Sequence, residues 1–126
     1  MKGINFCVEE EPLPQPRPRF GRNGGIYFPE TFQAYKEKVK LAAVQAMKNK
    51  PPMTGELLAR LKFFRKYKRA SRRFGDCDNL SKAVMDALNG IVYDDDSQII
   101  KITTEKFTDK NNPRIEIEIL SGEREN

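Results

Sequence analysis

Proline at every second position from Pro12 to Pro18 denies that segment both a helix and a sheet ladder, and forces it into an extended, polyproline-like path. Regular structure must therefore lie to either side. Before it, Ile4 to Val8 alternates apolar with small or polar residues and predicts a first strand, which Glu9, Glu10 and Glu11 carry into solvent. No two of the prolines have PxxP spacing, so an SH3-type ligand is not expected. Arg17, Arg19 and Arg22, followed by Gly24 and Gly25, instead predict a basic surface loop over residues 11–29.

After the loop, Glu30 to about Lys48 lacks Gly and Pro, and Phe32, Tyr35, Val39, Ala42/Ala43 and Ala46/Met47 recur at helical steps. Pro29 or Thr31 marks its first turn, and Asn49 to Pro52 ends it. Glu56 to Phe64 alternates as a second strand, with Leu57, Ala59, Leu61 and Phe63 on one face. Between Asp78 and Gly90, Leu80, Ala83/Val84, Ala87/Leu88 and Ile91 make a second helical stripe, while Asp78, Lys82 and Asp86 share the opposite face. Asp78 is the expected N-cap and Asn89-Gly90 the stop. Ile99 to Phe107 and Arg114 to Leu120 supply two more strands, the latter with Ile115, Ile117 and Ile119 inward and Glu116 and Glu118 outward. With 126 residues there is room for one domain, residues 1–126, ending in a polar tail over 121–126. The expected class is mixed α/β (α+β): a four-stranded mixed sheet with two packed helices.

The chain has no histidine, which removes Ser-His-Asp and Cys-His catalysis, His-ligated metals and imidazole general bases. Chemistry must run on carboxylates, lysine or a metal. Cys7 and Cys77 alone could form a disulfide, Cys77 is expected to turn away from its flanking aspartates as a small apolar residue, and no run approaches the ~20 apolar residues of a membrane span. A cytoplasmic protein fits these features.

Charge is unevenly distributed. Eight basic residues and no acidic one lie between Leu57 and Gly75: Arg60, Lys62, Arg65, Lys66, Lys68, Arg69, Arg72 and Arg73. From Asp76 to Asp96 six aspartates face the single Lys82, so this segment carries −5 within a chain of net +5 and the remainder carries +10. Cations that hold a polyanion, leading directly into carboxylates that hold a metal, match the needs of phosphodiester chemistry. On extended chain Asp76 and Asp78 would point the same way, at most ~7 Å apart. Mg²⁺ asks for hard oxygen ligands and keeps several waters, so no His or Cys is required. A further ligand is expected from Asp94, Asp95 or Asp96, in a turn returned to the start of the second helix, and Lys82, one turn beyond Asp78, could touch a phosphate oxygen. Structural roles compete with each assignment: a cap for Asp78, an i,i+4 partner for Lys82, a solvated turn for Asp94 to Asp96.

The run from Gly75 to Gly90, GDCDNLSKAVMDALNG, with YDDDSQI from Tyr93 to Ile99, resembles the RusA family of Holliday junction resolvases, whose pattern is D-x-D-N-L-x-K-A-x-x-D-A-L followed by D-D-x-Q. The resemblance covers about a quarter of the chain closely, with size, element order and the proline- and arginine-bearing loop agreeing more loosely. It implies a homodimeric, Mg²⁺-dependent endonuclease of bacteria, phages or prophages, with Mn²⁺ as an alternative ion, cutting four-way junction DNA by symmetric paired nicks in recombination and repair and leaving 5′-phosphate ends. Carried over, the family's metal-binding aspartates fall on Asp76 and Asp78, its lysine on Lys82, and its later acidic pair on Asp95 and Asp96, with Asp96, two before Gln98, the essential member. Arg17, Arg19, Arg22, Lys66, Lys68, Arg69, Arg72 and Arg73 are the expected DNA-binding residues. A junction is pseudo-two-fold symmetric, which suits a C₂ dimer. A restriction-type PD-(D/E)xK nuclease is disfavoured because no lysine has Asp or Glu two positions before it; a catalytically silent DNA-binding module of a phage replication-recombination system is the alternative.

Overall fold

The computed structural model describes residues 2–122. Strand β1 (Gly3–Val8) precedes a short hairpin, β2 (Arg19–Phe20) and β3 (Ile26–Tyr27); helix α1 (Glu30–Met47), strand β4 (Leu57–Arg65), helix α2 (Cys77–Ala87), a 3₁₀ turn (Asp96–Gln98), β5 (Ile99–Thr108) and β6 (Arg114–Ser121) follow. The main sheet has the order β1-β6-β4-β5. β6 pairs antiparallel with β1 and β4, whereas β4 and β5 run parallel. That parallel pair follows from α2, since two parallel neighbours need a crossover long enough to return the chain to the same end.

Alternation decides which sheet face is covered. Leu57, Ala59, Leu61 and Phe63 of β4 and Ile115, Ile117 and Ile119 of β6 are buried beneath the helices, as their spacing predicts. Phe32, Tyr35, Val39, Ala43 and Met47 of α1 and Leu80, Ala83, Val84 and Ala87 of α2 close the same core. On the other face Arg60 pairs with Glu118 at 3.4 Å. β5 is an edge strand, as β1 is at the other side, and its helix-side Ile102 stays exposed. α2 thus leaves an opening along β5, and the candidate site occupies it.

Four expectations change here. The segment 11–29 is not only a loop, because Arg19 pairs with Tyr27 and Phe20 with Ile26 in the hairpin. The N-cap of α2 is Asp76 rather than Asp78, and Asp78 sits in the first helical turn. The two aspartates therefore do not both project from extended chain, since only Asp76 is extended. Both cysteines are free, and Cys77 lines the same pocket as Asp78 rather than turning away from it. Of the expected polar tail over 121–126, Ser121 closes β6, and residues 123–126 lie outside the described residues.

Candidate active site

Arg65, the last residue of β4, begins the approach to the site. It is buried, with Nε donating to Glu11 Oε1 at 2.8 Å and Nη1 donating to the carbonyls of Arg73 (3.2 Å) and Phe74 (2.8 Å). One of the eight clustered cations is thereby a structural clamp, tying the following loop to the proline segment. Lys66, Lys68, Arg69, Arg72 and Arg73 remain exposed on that loop. Buried Phe74 anchors it, and Lys106 Nζ donates to the Gly75 carbonyl at 2.9 Å.

Gly75 then turns the chain into α2. Its φ of +93° lies in the left-handed region, and a Cβ there would come within 3.0 Å of Pro14 Cγ. A side chain is excluded twice over, by conformation and by the proline segment. Asp76 follows, its carboxylate accepting from the Asn79 amide at 2.9 Å as the helix cap. Asp78, Lys82 and Asp86 succeed one another at four-residue steps along one face.

The other wall comes from the turn after α2. Tyr93 is buried, and its hydroxyl donates to the Met85 carbonyl at 2.7 Å, which fixes the path of the chain beyond the helix. Gln98 organises the aspartate turn: its Oε1 accepts from the amides of Asp94 (3.0 Å) and Asp95 (3.2 Å), while Nε2 donates to the carbonyls of Met53 (3.0 Å) and Gly55 (3.1 Å). Asp95 caps the 3₁₀ turn by accepting from the Ser97 amide at 2.9 Å, and hydrogen bonds from Ser97 hold its carboxyl below the usual range. Asp96 points instead towards α2.

The result is a pocket of about 470 Å³ between α2 and β5, whose lining includes Asp78, Lys82, Asp86 and Asp96, with Ile99 and Ile102 forming an apolar flank. A hydrogen bond of 2.7 Å between Ser81 and Thr104 spans its floor. Asp76 and Asp95 stand outside the lining, both engaged as caps. Asp96 lies beside Asp86, near the end of α2, not beside the helix start as expected. Burial, then the neighbouring Asp96, raises the Asp86 carboxyl above the usual range, against the lowering influence of Lys36 and Lys82. By spacing Asp86 reads as a helical partner of Lys82; its place as the third aspartate of the D-x-D-N-L-x-K-A-x-x-D-A-L pattern is the signal that could have found it.

The family model described as Endodeoxyribonuclease RusA matches residues 9–120. The chain belongs to the RusA endodeoxyribonuclease family. The matched span runs from the end of β1 through β6 and so contains every residue of the pocket. The uncharacterized protein YqaN of Bacillus subtilis (strain 168) is 33% identical, over 94% of this chain and 96% of its own length. Membership in the RusA family makes this chain a nuclease by kinship.

Among the described residues no three carboxylate or thiol side chains stand close enough together to hold an ion between them. Asp78 and Asp86 are eight residues apart on one helix, about 12 Å along its axis. The donor chemistry nevertheless suits Mg²⁺, which takes one or two carboxylates and completes its shell with waters and substrate phosphate. Asp86 and Asp96, two like charges in contact inside one pocket, are a pair whose repulsion a cation relieves.

Proposed function

We propose that this RusA-family protein is a divalent-metal-dependent endonuclease that cuts four-way DNA junctions by symmetric paired nicks, acting as a homodimer in recombination and repair in the cytoplasm. The observation that carries this reading is the pocket lined by Asp78, Lys82, Asp86 and Asp96, beside a loop of exposed cations. Among the described residues, no helix is long and apolar enough to cross a membrane.

Asp96 and its neighbour Asp86 would hold Mg²⁺ or Mn²⁺ directly and Asp78 through water, with Asp76 and Asp95 at the pocket's margin; when bound, the ion supplies positive charge to the scissile phosphate and lowers the pKa of a water. Lys82 would sit against a non-bridging phosphate oxygen, where its charge offsets what develops in the transition state. Ile99 and Ile102 give the pocket an apolar flank. Lys66, Lys68, Arg69, Arg72 and Arg73 would grip the duplex arm leading into the pocket, and Arg17, Arg19 and Arg22 a neighbouring stretch, since Pro14 packs on Gly75 and the Gln15 amide donates to the Asn79 carbonyl at 3.0 Å.

The direct test is cleavage of an end-labelled four-way junction beside a linear duplex of the same sequence, with Mg²⁺ or with EDTA. Paired nicks bearing 5′-phosphates in the junction alone, with Mg²⁺ alone, are expected. Tight junction binding with no cutting in either Mg²⁺ or Mn²⁺ would favour the silent DNA-binding module.

Replacing Arg72 and Arg73 together by Ala should weaken junction binding and flatten its dependence on salt, because the log–log slope shrinks by about 0.9 for each phosphate no longer neutralised. Fold and melting temperature should not move, as both side chains are exposed. An unchanged salt slope would remove these two residues from the DNA-binding surface.

A further inference from the structure

Soluble proteins seldom spend aromatic surface on the tip of a ribbon, yet Phe20 is 77% exposed, Ile26 65% and Tyr27 47%. All three belong to the β2–β3 hairpin. Residues directly opposite in a ladder share a face, so Phe20 with Ile26 makes one apolar side, and Arg19 with Tyr27 makes a cationic, aromatic one. The tip is built rather than loose: the Gly21 amide donates to the Gly25 carbonyl at 2.7 Å, and Gly24 adopts φ +77° to close the turn.

Both roots of the hairpin are fastened. On the outgoing side, Pro14 packs against Gly75 and Gln15 donates to Asn79, at the start of α2. On the returning side, the Phe28 ring lies 5.4 Å from that of Phe32, and Gln33 Nε2 donates to the Phe28 carbonyl at 2.6 Å. Phe20 lies five positions beyond Gln15. Their reach is at most about 17 Å, half a turn of duplex, so the tip works within a few base pairs of a phosphodiester held at the pocket.

We infer that this hairpin is a wedge that stacks Phe20 against an unstacked base at the branch point of its DNA substrate, while Arg17, Arg19 and Arg22 hold the flanking phosphates. The inference rests on the junction-cutting function proposed for the pocket and assigns its structural selectivity to one side chain. Intact duplex offers no free base face, whereas a branch point exposes one at low cost. Charge points the same way: between Glu11 and Glu30 the chain carries three arginines and no acidic residue, which suits phosphates. A second copy of the chain is a poor occupant, because three side chains fall short of the ~800 Å² per partner of a stable interface and the arginines would face one another.

The test uses Phe20→Ala and Phe20→Trp in the full-length protein. The chain has no tryptophan, so the second variant carries a single indole reporter at the tip. Phe20→Ala should bind a four-way junction about ten-fold more weakly, with linear-duplex affinity within about two-fold of the parent. Phe20→Trp should retain junction affinity, and its emission should be quenched by the junction but not by the duplex. Parental junction affinity in Phe20→Ala, equal quenching by both DNAs, or a shift from dimer to monomer on sedimentation would each overturn the wedge. If the parent neither binds nor nicks junctions, the function itself fails; if the parent nicks them and Phe20→Ala matches it, only the wedge does.

Discussion

Replacing Asp96 or Asp78 by Asn should abolish junction cutting while leaving junction binding intact or slightly tighter. Both carboxylates face the pocket beside Lys82. Loss of a residue that only supports a metal ligand typically costs 10–100-fold, so loss of a ligand itself should exceed about a hundred-fold in single-turnover rate. Binding improves because the pocket sheds a negative charge that repels phosphate. Asp76→Asn is the informative third member. Asn caps a helix as well as Asp, so the hydrogen bond to Asn79 survives and any loss of rate reports on charge alone. Asp76→Ala adds a destabilisation of about 1 kcal/mol from the lost cap. Asp86→Asn keeps a hydrogen-bonding group beside Asp96 and removes the like charge, so its effect separates a ligand from a neighbour that adjusts one. Rates within ten-fold of the parent for Asp96→Asn would sink the assignment of the pocket as the catalytic centre.

What could be read in advance and what could not divides along the range of the interactions concerned. The β6 strand was legible because Ile115, Ile117 and Ile119 alternate with Glu116 and Glu118, and burial follows that alternation. Both helices were legible for the same local reason, at their own period. The start of α2 was not: Asp76 and Asp78 are equally good caps by type, and the choice falls to Gly75, whose left-handed turn is pressed against Pro14, some sixty residues earlier. The hairpin was not legible because two pairs of residues are too few to show a period. At the site, Lys82 and Asp78 followed from helical spacing. Which of the three consecutive aspartates enters the pocket did not follow from spacing; only the family resemblance pointed to Asp96, and Gln98 brings this about by holding Asp94 and Asp95 through their amides and reaching across to Met53 and Gly55. Asp86 gains its role only when the buried Tyr93 turns the chain back along α2.

The same separation between local and distant partners sets the expected behaviour of Arg65, which reads in sequence as one of eight clustered cations. Arg65→Leu should lower the melting temperature by about 10 °C and leave the salt slope of DNA binding unchanged. Its guanidinium satisfies two carbonyls, at Arg73 and Phe74, and lies 4.9 Å over the Tyr67 ring. Stranding those carbonyls costs about 3 kcal/mol in all, and for a chain of this size each kcal/mol moves the midpoint by about 3–4 °C. The ion pair adds little beyond that, because Glu11 is 37% exposed and can turn to water when its partner is gone. Arg65→Lys should recover little of the loss, since an ammonium cannot reproduce a fork that reaches Glu11 through Nε and two carbonyls through Nη1. Differential scanning calorimetry on the three proteins, set beside junction binding at several salt concentrations, separates the possibilities. A parental melting temperature combined with a shallower salt slope would mean that Arg65 holds DNA rather than the loop that presents Lys66 to Arg73. Destabilisation with an unchanged slope would mean that the cationic surface depends on one buried arginine, which never meets the phosphate backbone, to keep the others in place.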